Sequence, residues 1–465
     1  MDYDVLILGG GIFGCAIAYE LSKYSLNIAV IEKEYDIATD IEIINSTIVF
    51  DGTIAKNDIM STLEQRGNVL IKELAEKFNL SYQPKDMLYL AYCDKEAQKL
   101  QKTYEDAVDR GIENIELINS KKVAEVEPNL KKEVINGILS RNTGIIEPYD
   151  LALALAEVAF DNGVNFRFNE KVLSIETIAK GSIITTTKNK FKCKMVINTI
   201  PQKNYDIEDN LIDEEYKAVR RKINYFLMEN EGDKKLSNIM LSISENNQIS
   251  VAVPNPNSTV GAIIHDDIIS MREAKDIIKK QVKGIRNNYI SAYYSDTYYS
   301  DTIIINDSYV DKGYIKISGK NYSEVTMTPA IAKIISETIR ENIKCTLKKD
   351  YTDKRRDIFK FRDLSNEERQ ELIDVDKKYG NIVCYCNKVS EGEIVDAIRR
   401  PLGARTVEGV KRRTGAMQGS CKGATCLHKI VNILARELNR DVLEIVKDTK
   451  DSNIIVGRMK EFDGI

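Results

Sequence analysis

Apolar runs at the start of the chain predict two buried strands with a helix between them. Residues 3–8, YDVLIL, are typical of a buried parallel strand, and a glycine-rich turn follows at once. A helical run then ends near Tyr24, and a second strand at 27–31 ends at Glu32. This order of strand, turn, helix and strand predicts an α/β unit with a parallel sheet.

The middle of the chain alternates between helical and strand patterns. Apolar residues at helical spacing over 56–80 are followed by strand-like alternation over 86–92. Another helix is predicted from Pro148 to a C-terminal stop at Asn162-Gly163. Further short strands are expected at 164–168, 194–199 and 314–318.

The second half of the chain divides into three parts by composition. Between about 220 and 308, β-branched and aromatic residues separated by turn signals predict an antiparallel sheet of a substrate or cap domain. Pro329 is expected in the first turn of a following helix, whose N-terminus could face an anion. Residues 346–380 are dense in charge, which predicts a solvated linker with a short helix between a large and a small unit.

The glycine-rich turn has the spacing of a dinucleotide-binding fingerprint. Gly9 permits a tight turn, Gly11 lets the backbone approach a pyrophosphate, and Gly14 allows close packing of helix and strand. Glu32, at the end of the second strand, is placed to accept a hydrogen bond from a ribose hydroxyl. The motif predicts a dinucleotide site but does not by itself separate FAD from NAD.

Composition excludes several classes of protein. The chain has 465 residues and a net charge of −4, so it is neither a disordered chain nor a strongly basic nucleic-acid-binding protein. Two histidines, His265 and His428, exclude a histidine-rich metal site, and each is interpreted as a surface or hydrogen-bonded residue.

Because apolar stretches are short and Asp2 and Asp4 stand where a signal peptide is positive, we expect a cytoplasmic protein without a transmembrane segment.

Four of the eight cysteines crowd into one window near the C-terminus: Cys384, Cys386, Cys421 and Cys426. Two thiolate pairs can bind zinc or an iron-sulfur cluster, and a CxC pair with a wider CxxxxC loop favours [2Fe-2S] over zinc. Gly419 and Gly423 leave backbone amides that could donate to sulfur. Nine basic against four acidic residues over 381–430 predict a positive patch for the cluster, a phosphate or an acidic partner.

The two motifs, in this order, resemble one known family. The chain is similar to the FAD-dependent glycerol-3-phosphate dehydrogenases of the D-amino-acid-oxidase superfamily, in the bacterial form whose C-terminal [2Fe-2S] domain is like bacterioferritin-associated ferredoxin (BFD). The strongest stretches are VLILGGGIFGCAIAYELS, GIIEPYDLALALAEVAFDNGV and IVCYCNKVSEGEIVDAIRRPLGARTVEGVKRRT. The resemblance implies that Gly9, Gly11, Gly14 and Glu32 hold the ADP half of FAD, and that the four clustered cysteines hold the [2Fe-2S] cluster.

The resemblance also implies an architecture. It consists of a Rossmann-like FAD-binding α/β domain with an antiparallel β substrate domain, followed by a small helical [2Fe-2S]-binding domain. The FAD-dependent oxidoreductase region is expected over 1–345, the charged linker over 346–380, and the BFD-like domain with its tail over 381–465. Within the first region, the FAD-binding segments are expected at about 1–85, 150–215 and 309–345, and the substrate or cap segments at about 86–149 and 216–308.

Departures from the family gather where the flavin ring would lie. In this chain, Ala38–Ile41 replace a Gly-Thr-Ser turn of the family, and Phe50 replaces a histidine. Asn198-Thr199-Ile200-Pro201 replace Asn-Ala-Ala-Gly, and Tyr322–Thr326, which include Glu324, replace Ser-Pro-Gly-Leu-Thr. Tyr293 or Tyr294 stands where the family has an arginine. Bulky side chains and an acid near the ring work against its reduction. No catalytic residue can be named from the sequence.

Two functions follow from these features. In the first, the chain is a dehydrogenase that oxidises a small secondary alcohol or 2-hydroxy acid, binds an anion through Arg221, Lys222 and Tyr225, and passes electrons through the cluster to an acceptor protein or partner subunit. In the second, the flavin domain has lost catalysis and supports an iron-sulfur electron-transfer or redox-sensing module. The resemblance leaves open a peripheral attachment to the inner face of a membrane through partners.

Overall fold

The chain is described here from a computed structural model. The residues it describes are 1–39, 47–130, 133–200, 220–229, 236–245, 248–254, 258–265, 270–281, 290–299, 303–319 and 321–457. Asp40, Ile41 and Pro201 therefore lie outside the described residues, as do the remaining residues of the 40–46 and 201–219 segments.

The helices alternate with strands along the first half of the chain and dominate its last third. In chain order they are α1 (Ile12–Ser22), α2 (Asp58–Lys77), α3 (Asp94–Asp109), α4 (Ser120–Val126), α5 (Pro148–Asp161), α6 (Met271–Gln281), α7 (Glu324–Asn342), α8 (Asn366–Val375), α9 (Glu391–Arg399), α10 (Val407–Thr414) and α11 (Leu427–Leu438).

The strands build two large sheets and two small ones. They are β1 (Tyr3–Leu8), β2 (Ile28–Ile31), β3 (Ile48–Val49), β4 (Gln83–Pro84), β5 (Met87–Ala91), β6 (Ile115–Asn119), β7 (Asn136–Ser140), β8 (Gly144–Ile145), β9 (Asn165–Arg167), β10 (Val172–Ile178), β11 (Gly181–Thr186), β12 (Lys190–Asn198), β13 (Arg220–Glu229), β14 (Ile239–Ile243), β15 (Ile249–Pro254), β16 (Ser258–His265), β17 (Ile290–Tyr299), β18 (Ile304–Asn306), β19 (Tyr314–Ser318), β20 (Ile382–Cys384) and β21 (Val389–Ser390).

The first large sheet places the glycine-rich turn at its centre. Its order is β10-β11-β12-β1-β2-β9, with β19 and β18 joined to β12. Strand β1 runs parallel to both β2 and β12, and β12 runs parallel to β19. Since the carboxyl ends of parallel strands meet at one edge, the turn after Leu8 lies beside the ends of β12 and β19.

Both faces of the first sheet are covered. Apolar side chains of α1, α5 and α7 pack on one face, including the fully buried Ile17, Leu155 and Ile331. Strands β10 and β11 contribute Ile175 and Ile184 to a separate core on the other face. The apolar run of strand 3–8 is thus explained by burial on both sides, as expected of a parallel strand.

The second large sheet is almost wholly antiparallel. Its order is β17-β13-β16-β15-β14-β5-β7-β6, and among its described strands only the β14–β5 pair is parallel. One face joins an apolar core with Phe50 and Tyr89, and helix α6 covers part of the other face through Ile278. The antiparallel sheet predicted for 220–308 is confirmed, although helix α6 interrupts it.

The C-terminal unit has a core of its own. Helices α9, α10 and α11 pack around the β20–β21 hairpin through fully buried residues such as Ile394, Val410 and Leu434. The predicted fold class, an α/β dinucleotide-binding domain with an antiparallel sheet and a small helical C-terminal domain, is confirmed.

One predicted helix boundary is wrong. Pro329 was expected in the first turn of its helix, but α7 begins at Glu324 and Pro329 lies inside it. The helix starts earlier because the backbone is already hydrogen-bonded in helical fashion before Pro329, with the Met327 amide donating to the Ser323 carbonyl at 3.0 Å. Consequently Tyr322 and Ser323 lead directly into the helix.

The charged linker does not behave as a solvated segment over its first part. Arg355 is buried and donates to Glu157 and Asp150 of α5, at 2.9 and 2.7 Å. Arg400 of the C-terminal unit donates to the same Glu157, at 3.1 Å. One carboxylate of α5 therefore binds both the linker and the C-terminal unit. The short helix predicted within the linker is present as α8.

Candidate functional site

The glycine-rich turn has the geometry that its spacing predicts. Gly9 has a φ of +100°, a conformation that side chains other than glycine rarely adopt, and Gly11 caps the N-terminus of α1. A Cβ atom on Gly14 would overlap the carbonyl oxygen of Gly9, so the helix packs directly on the turn. Backbone amides at this helix N-terminus are suited to bind a phosphate group.

Glu32 lies against the same turn. Its carboxylate accepts hydrogen bonds from the backbone amides of Gly10 and Glu34, at 2.7 and 2.9 Å, and the side chain is almost buried. The two amides hold this acid at the end of β2, next to the position that a ribose would take. The structure thus brings the four residues Gly9, Gly11, Gly14 and Glu32 together at one edge of the first sheet.

A cavity opens beside the turn. It is lined by Gly11, Ile12, Phe13, Thr199, Ile317, Gly319 and Glu324. Glu324 is the first residue of α7, where the helix dipole stabilises its negative charge. The acid that the sequence raised as an obstacle to flavin reduction therefore does line the cavity.

The residues that depart from the family fill space around this cavity. Thr199 donates its hydroxyl to the Leu8 carbonyl at 2.9 Å, and its oxygen lies 2.7 Å from the point where a Cβ on Gly9 would be. Phe50 is buried and packs edge-on against Tyr322, with ring centroids 5.0 Å apart. The residues present fit the nucleotide half of FAD, whereas those around the ring position are apolar or acidic.

The anion site predicted at Arg221, Lys222 and Tyr225 is described for two of its residues, since the side chain of Arg221 lies outside the described residues. Successive residues of β13 face opposite sides of the sheet. Ile223 and Tyr225 belong to the apolar core on one side, so Lys222 lies on the other side. Lys222 and Tyr225 therefore cannot bind one anion together.

His265 is buried and its ring nitrogen Nε2 lies 2.6 Å from the Asn224 amide, which confirms its interpretation as a hydrogen-bonded residue.

The four clustered cysteines converge as two neighbouring pairs. The Cys421 thiol lies beside that of Cys386, and the Cys426 thiol lies beside that of Cys384. Cys384 and Cys426 are buried, whereas Cys386 is exposed. In the described part of the chain, no three His, Cys, Asp or Glu side chains gather around a single point that could hold one metal ion. A pair of thiolates on each of two irons is the ligand set of a [2Fe-2S] cluster.

Hydrogen bonds lower the pKa of one of these thiols, and burial raises the pKa of another. Hydrogen bonds from the Thr425 hydroxyl and the Gly423 amide lower the pKa of Cys421 to about 7. Burial raises the pKa of Cys426 to about 11, although this residue stands at the N-terminus of α11, where the helix dipole favours a thiolate. The amide at Gly423 confirms one of the two predicted donors to sulfur, and Met417 supplies another to Cys426.

An ion pair joins the C-terminal unit to the loop after Glu32. Arg413 of α10 donates to both carboxylate oxygens of Asp36, at 2.6 and 2.7 Å, and both side chains are buried. Tyr149 donates its hydroxyl to Asp36 at 3.0 Å. Burial alone would lower the pKa of the Arg413 guanidinium, but the charge and hydrogen bonds of Asp36, together with the neighbouring Tyr149 and Glu157, raise that pKa.

The same loop returns to the glycine-rich turn, and the other side of α10 reaches the cysteines. The Ala38 amide donates to the Gly10 carbonyl at 2.8 Å. Two residues beyond Arg413, the Gly415 carbonyl accepts from Asn387 at 2.6 Å, and Asn387 is the neighbour of Cys386. The dinucleotide turn and the cysteine group are therefore connected by a short series of contacts through Asp36 and Arg413.

Sequence reasoning did not single out Asp36 or Arg413, nor the buried acids Asp51 and Glu64. One signal for Glu64 was available: it lies at helical spacing between the buried Met60 and Ile71 on the inward face of α2.

Comparison with known proteins agrees with this geometry. Residues 4–338 match the profile of the family described as FAD dependent oxidoreductase, and residues 382–436 match that of the BFD-like [2Fe-2S] binding domain. Among curated proteins, a glycerol 3-phosphate dehydrogenase of Caloramator mitchellensis is 32% identical over 98% of this chain and 99% of its own length. The L-2-hydroxyglutarate dehydrogenase of Pongo abelii is 31% identical over 39% of this chain and 43% of its own length.

A solved structure has the same fold over most of the chain. It is the dithionite-reduced L-α-glycerophosphate oxidase from Mycoplasma pneumoniae with FAD bound, with a TM-score of 0.68 and 22% identity. The match covers 76% of this chain and 98% of that one. No helix among the described residues is long and apolar enough to span a membrane.

Proposed function

Because the chain belongs to the FAD-dependent oxidoreductase family and carries a BFD-like [2Fe-2S] binding domain, we propose that it oxidises a small anionic secondary alcohol or 2-hydroxy acid and passes the electrons through the cluster. The named substrates of its relatives, glycerol 3-phosphate and L-2-hydroxyglutarate, are both small anions with a secondary hydroxyl group. Glycerol 3-phosphate is the first substrate to test.

The two cofactors would carry out different steps of the proposed reaction. FAD accepts two electrons as a hydride from the alcohol carbon, and a [2Fe-2S] cluster carries electrons onward one at a time. The chain's own residues bind and orient these groups. Gly9, Gly11, Gly14 and Glu32 would hold the nucleotide half of FAD, and Cys384, Cys386, Cys421 and Cys426 would supply the thiolates, stabilised by the amides at Gly423 and Met417.

The observation that carries the proposal is the buried ion pair between Asp36 and Arg413. It fixes the cysteine-bearing unit against the loop that begins at Glu32. The contact connects the cysteine group to the dinucleotide turn, which is the arrangement that electron transfer from a flavin to a cluster would use. An acceptor protein for the electrons would then bind on the exposed side of the cluster, near Cys386.

One observation favours the second candidate, an iron-sulfur module on a flavoprotein scaffold. Phe50 offers no proton acceptor at the position where the resemblance expects a histidine, and it is buried against Tyr322. This candidate requires iron and sulfide but no reduction of flavin by a substrate.

Anaerobic purification followed by separate assays of flavin, iron and sulfide tests both candidates. We expect near-stoichiometric FAD together with two irons and two sulfides per chain. Addition of glycerol 3-phosphate or a 2-hydroxy acid should then bleach the flavin absorbance and reduce the cluster. Iron and sulfide without bound FAD, even after FAD is added, would reject the dehydrogenase and leave the scaffold function.

A further inference from the structure

Helices α2 and α7 touch each other at backbone level, and this contact buries a carboxyl group. A Cβ atom on Gly67 of α2 would overlap the carbonyl oxygen of Thr326 in α7, so no side chain separates the two helices there. Glu64 lies about one turn before Gly67 and has no exposed surface. Its Oε1 lies 2.7 Å from the Ser323 hydroxyl, immediately before α7.

The hydrogen bonds around Ser323 determine where a proton must be. The Ser323 hydroxyl also lies 2.8 Å from Oδ1 of Asn321, and that same Oδ1 accepts the backbone amide of Ser323 at 2.8 Å. The amide N–H fixes this atom of Asn321 as oxygen, which can only accept. Since a hydroxyl has one hydrogen, it cannot donate to both Asn321 and Glu64. When the Ser323 hydroxyl donates to one of these two oxygens, the other short contact has no hydrogen, and a proton on Glu64 donated to the Ser323 oxygen would supply it.

The surroundings of Glu64 agree with a neutral acid. The groups that face it are Asp51 from the loop after β3, the Tyr322 hydroxyl, the Gly52 amide and Ser323, while Lys72 on its own helix faces Asp51. Burial, together with the charge of Asp51, raises the pKa of Glu64 to about 8, although hydrogen bonds from Ser323, Tyr322 and the Gly52 amide act in the opposite direction.

We propose that Glu64 is held as a neutral carboxylic acid and that its proton positions residues 321–324 at the cofactor cavity. This segment ends at Glu324, which lines the cavity together with Gly11 of the dinucleotide turn. Ionisation of Glu64 would leave a buried anion facing Asp51 and would break the hydrogen-bond chain to Asn321. Glu64 is thus a positioning residue, and its effect on FAD rests on the proposed function.

The first test measures protonation without any cofactor. In the wild type, the folded state keeps a proton between about pH 4.5 and 8 that the unfolded state has released, so the free energy of unfolding falls over this range and levels off above it. Glu64→Gln keeps a neutral hydrogen-bond donor and has no such proton. We expect the stability of the Gln variant relative to wild type to rise steadily from about pH 5 to about pH 8. A difference independent of pH would overturn the proposal.

Glu127→Gln is the matched control. Glu127 is equally buried, but its Oε2 accepts from the amides of Ser237 and Asn238, as suits a carboxylate. The same substitution there should destabilise the protein, because a neutral amide oxygen accepts from these N–H groups more weakly than a carboxylate does. Should Glu64→Gln fail to fold, infrared spectra of the wild type decide instead: a protonated carboxyl band must disappear between about pH 7 and 9.

The second test measures the consequence for the cofactor site. We expect FAD to bind wild type about tenfold more weakly at pH 9.5 than at pH 6, a coupling of about 1.4 kcal/mol, and to bind the Gln variant equally at both. Equal pH dependence in both proteins would reject the positioning role. If FAD binds neither protein at any pH, the proposed function fails, while the stability test still decides whether Glu64 is protonated.

Discussion

Arg413 and Asp36 form a buried bidentate ion pair between two parts of the chain that are 377 positions apart. Arg413 also donates to the carbonyls of Leu402 and Gly409. Asp36 in turn accepts from Tyr149. This contact couples the position of the cysteine-bearing unit to the loop that carries Glu32.

Removing one partner of this pair should be costly. Arg413→Ala leaves the Asp36 carboxylate buried without its cation, and we expect a loss of about 3–5 kcal/mol in the free energy of unfolding. Urea denaturation of the cluster-loaded protein measures this loss. Bound FAD should also be lost more readily on dilution, since Asp36 belongs to the loop that follows Glu32.

Arg399→Ala is the control for this prediction. Arg399 pairs with Glu437 within the C-terminal unit and is largely exposed, and Glu437 keeps a second partner in Arg436. Its replacement should change stability by less than about 1 kcal/mol. Equal losses in the two variants would mean that the buried pair has no special role in holding the units together.

The cysteine group gives a second prediction, on metal content. Cys421→Ser removes one of four thiolates and should abolish the visible absorbance of the cluster, with iron and sulfide falling together. Cys345→Ser, at a half-buried cysteine outside the group, should retain both. Flavin content should be the same in the two variants. Retention of iron by Cys421→Ser without sulfide would point to a different metal centre.

The dinucleotide turn gives a third prediction. Gly14→Ala places a methyl group onto the Gly9 carbonyl oxygen, so α1 must move away from the turn and FAD should no longer be retained. Gly380→Ala is the control, because its methyl group would meet only Ile373 at ordinary contact distance, 3.6 Å. Flavin released by denaturation of each purified variant measures the effect. Normal flavin content in Gly14→Ala would exclude this turn as the nucleotide site.

Local patterns predicted those parts of the fold that depend on neighbours in sequence. The strand predicted at 3–8 is β1, Tyr3–Leu8, because burial on both faces requires an unbroken apolar run. The glycine spacing likewise predicted the turn at Gly9. Both signals are contained within a few residues and need no knowledge of distant parts of the chain.

Contacts between distant segments could not be predicted in this way. Asp36 and Arg355 are charged residues in charged stretches, and nothing local shows that each is buried against a partner far along the chain. The separation of Lys222 from Tyr225, by contrast, follows from strand alternation alone, since residues three apart in a strand face opposite sides. Around the cavity, Phe50 and Glu324 break the family pattern, so the resemblance gave no catalytic residue.

The exposed side of the cysteine group gives the last prediction, on electron transfer to an acceptor protein. Cys386 and Tyr385 are exposed there, and the Lys429 ammonium lies 5.3 Å from the Tyr385 ring centre. Lys422 is exposed and Lys429 is half-buried. No acidic residue occurs between positions 414 and 430, so these two lysines give this stretch a positive charge.

Such a surface should favour an acceptor with an acidic face, mainly by accelerating encounter. Lys422→Glu should therefore slow reduction of an acidic ferredoxin about tenfold at low salt and should weaken the dependence of the rate on ionic strength. Lys344→Glu makes the same change of charge on an exposed residue outside the C-terminal unit, and it should leave the rate unchanged. Stopped-flow measurements with dithionite-reduced protein give both rates. If the two variants transfer electrons equally fast, or if cytochrome c, a basic acceptor, is preferred by the wild type, electrons leave the chain by another surface.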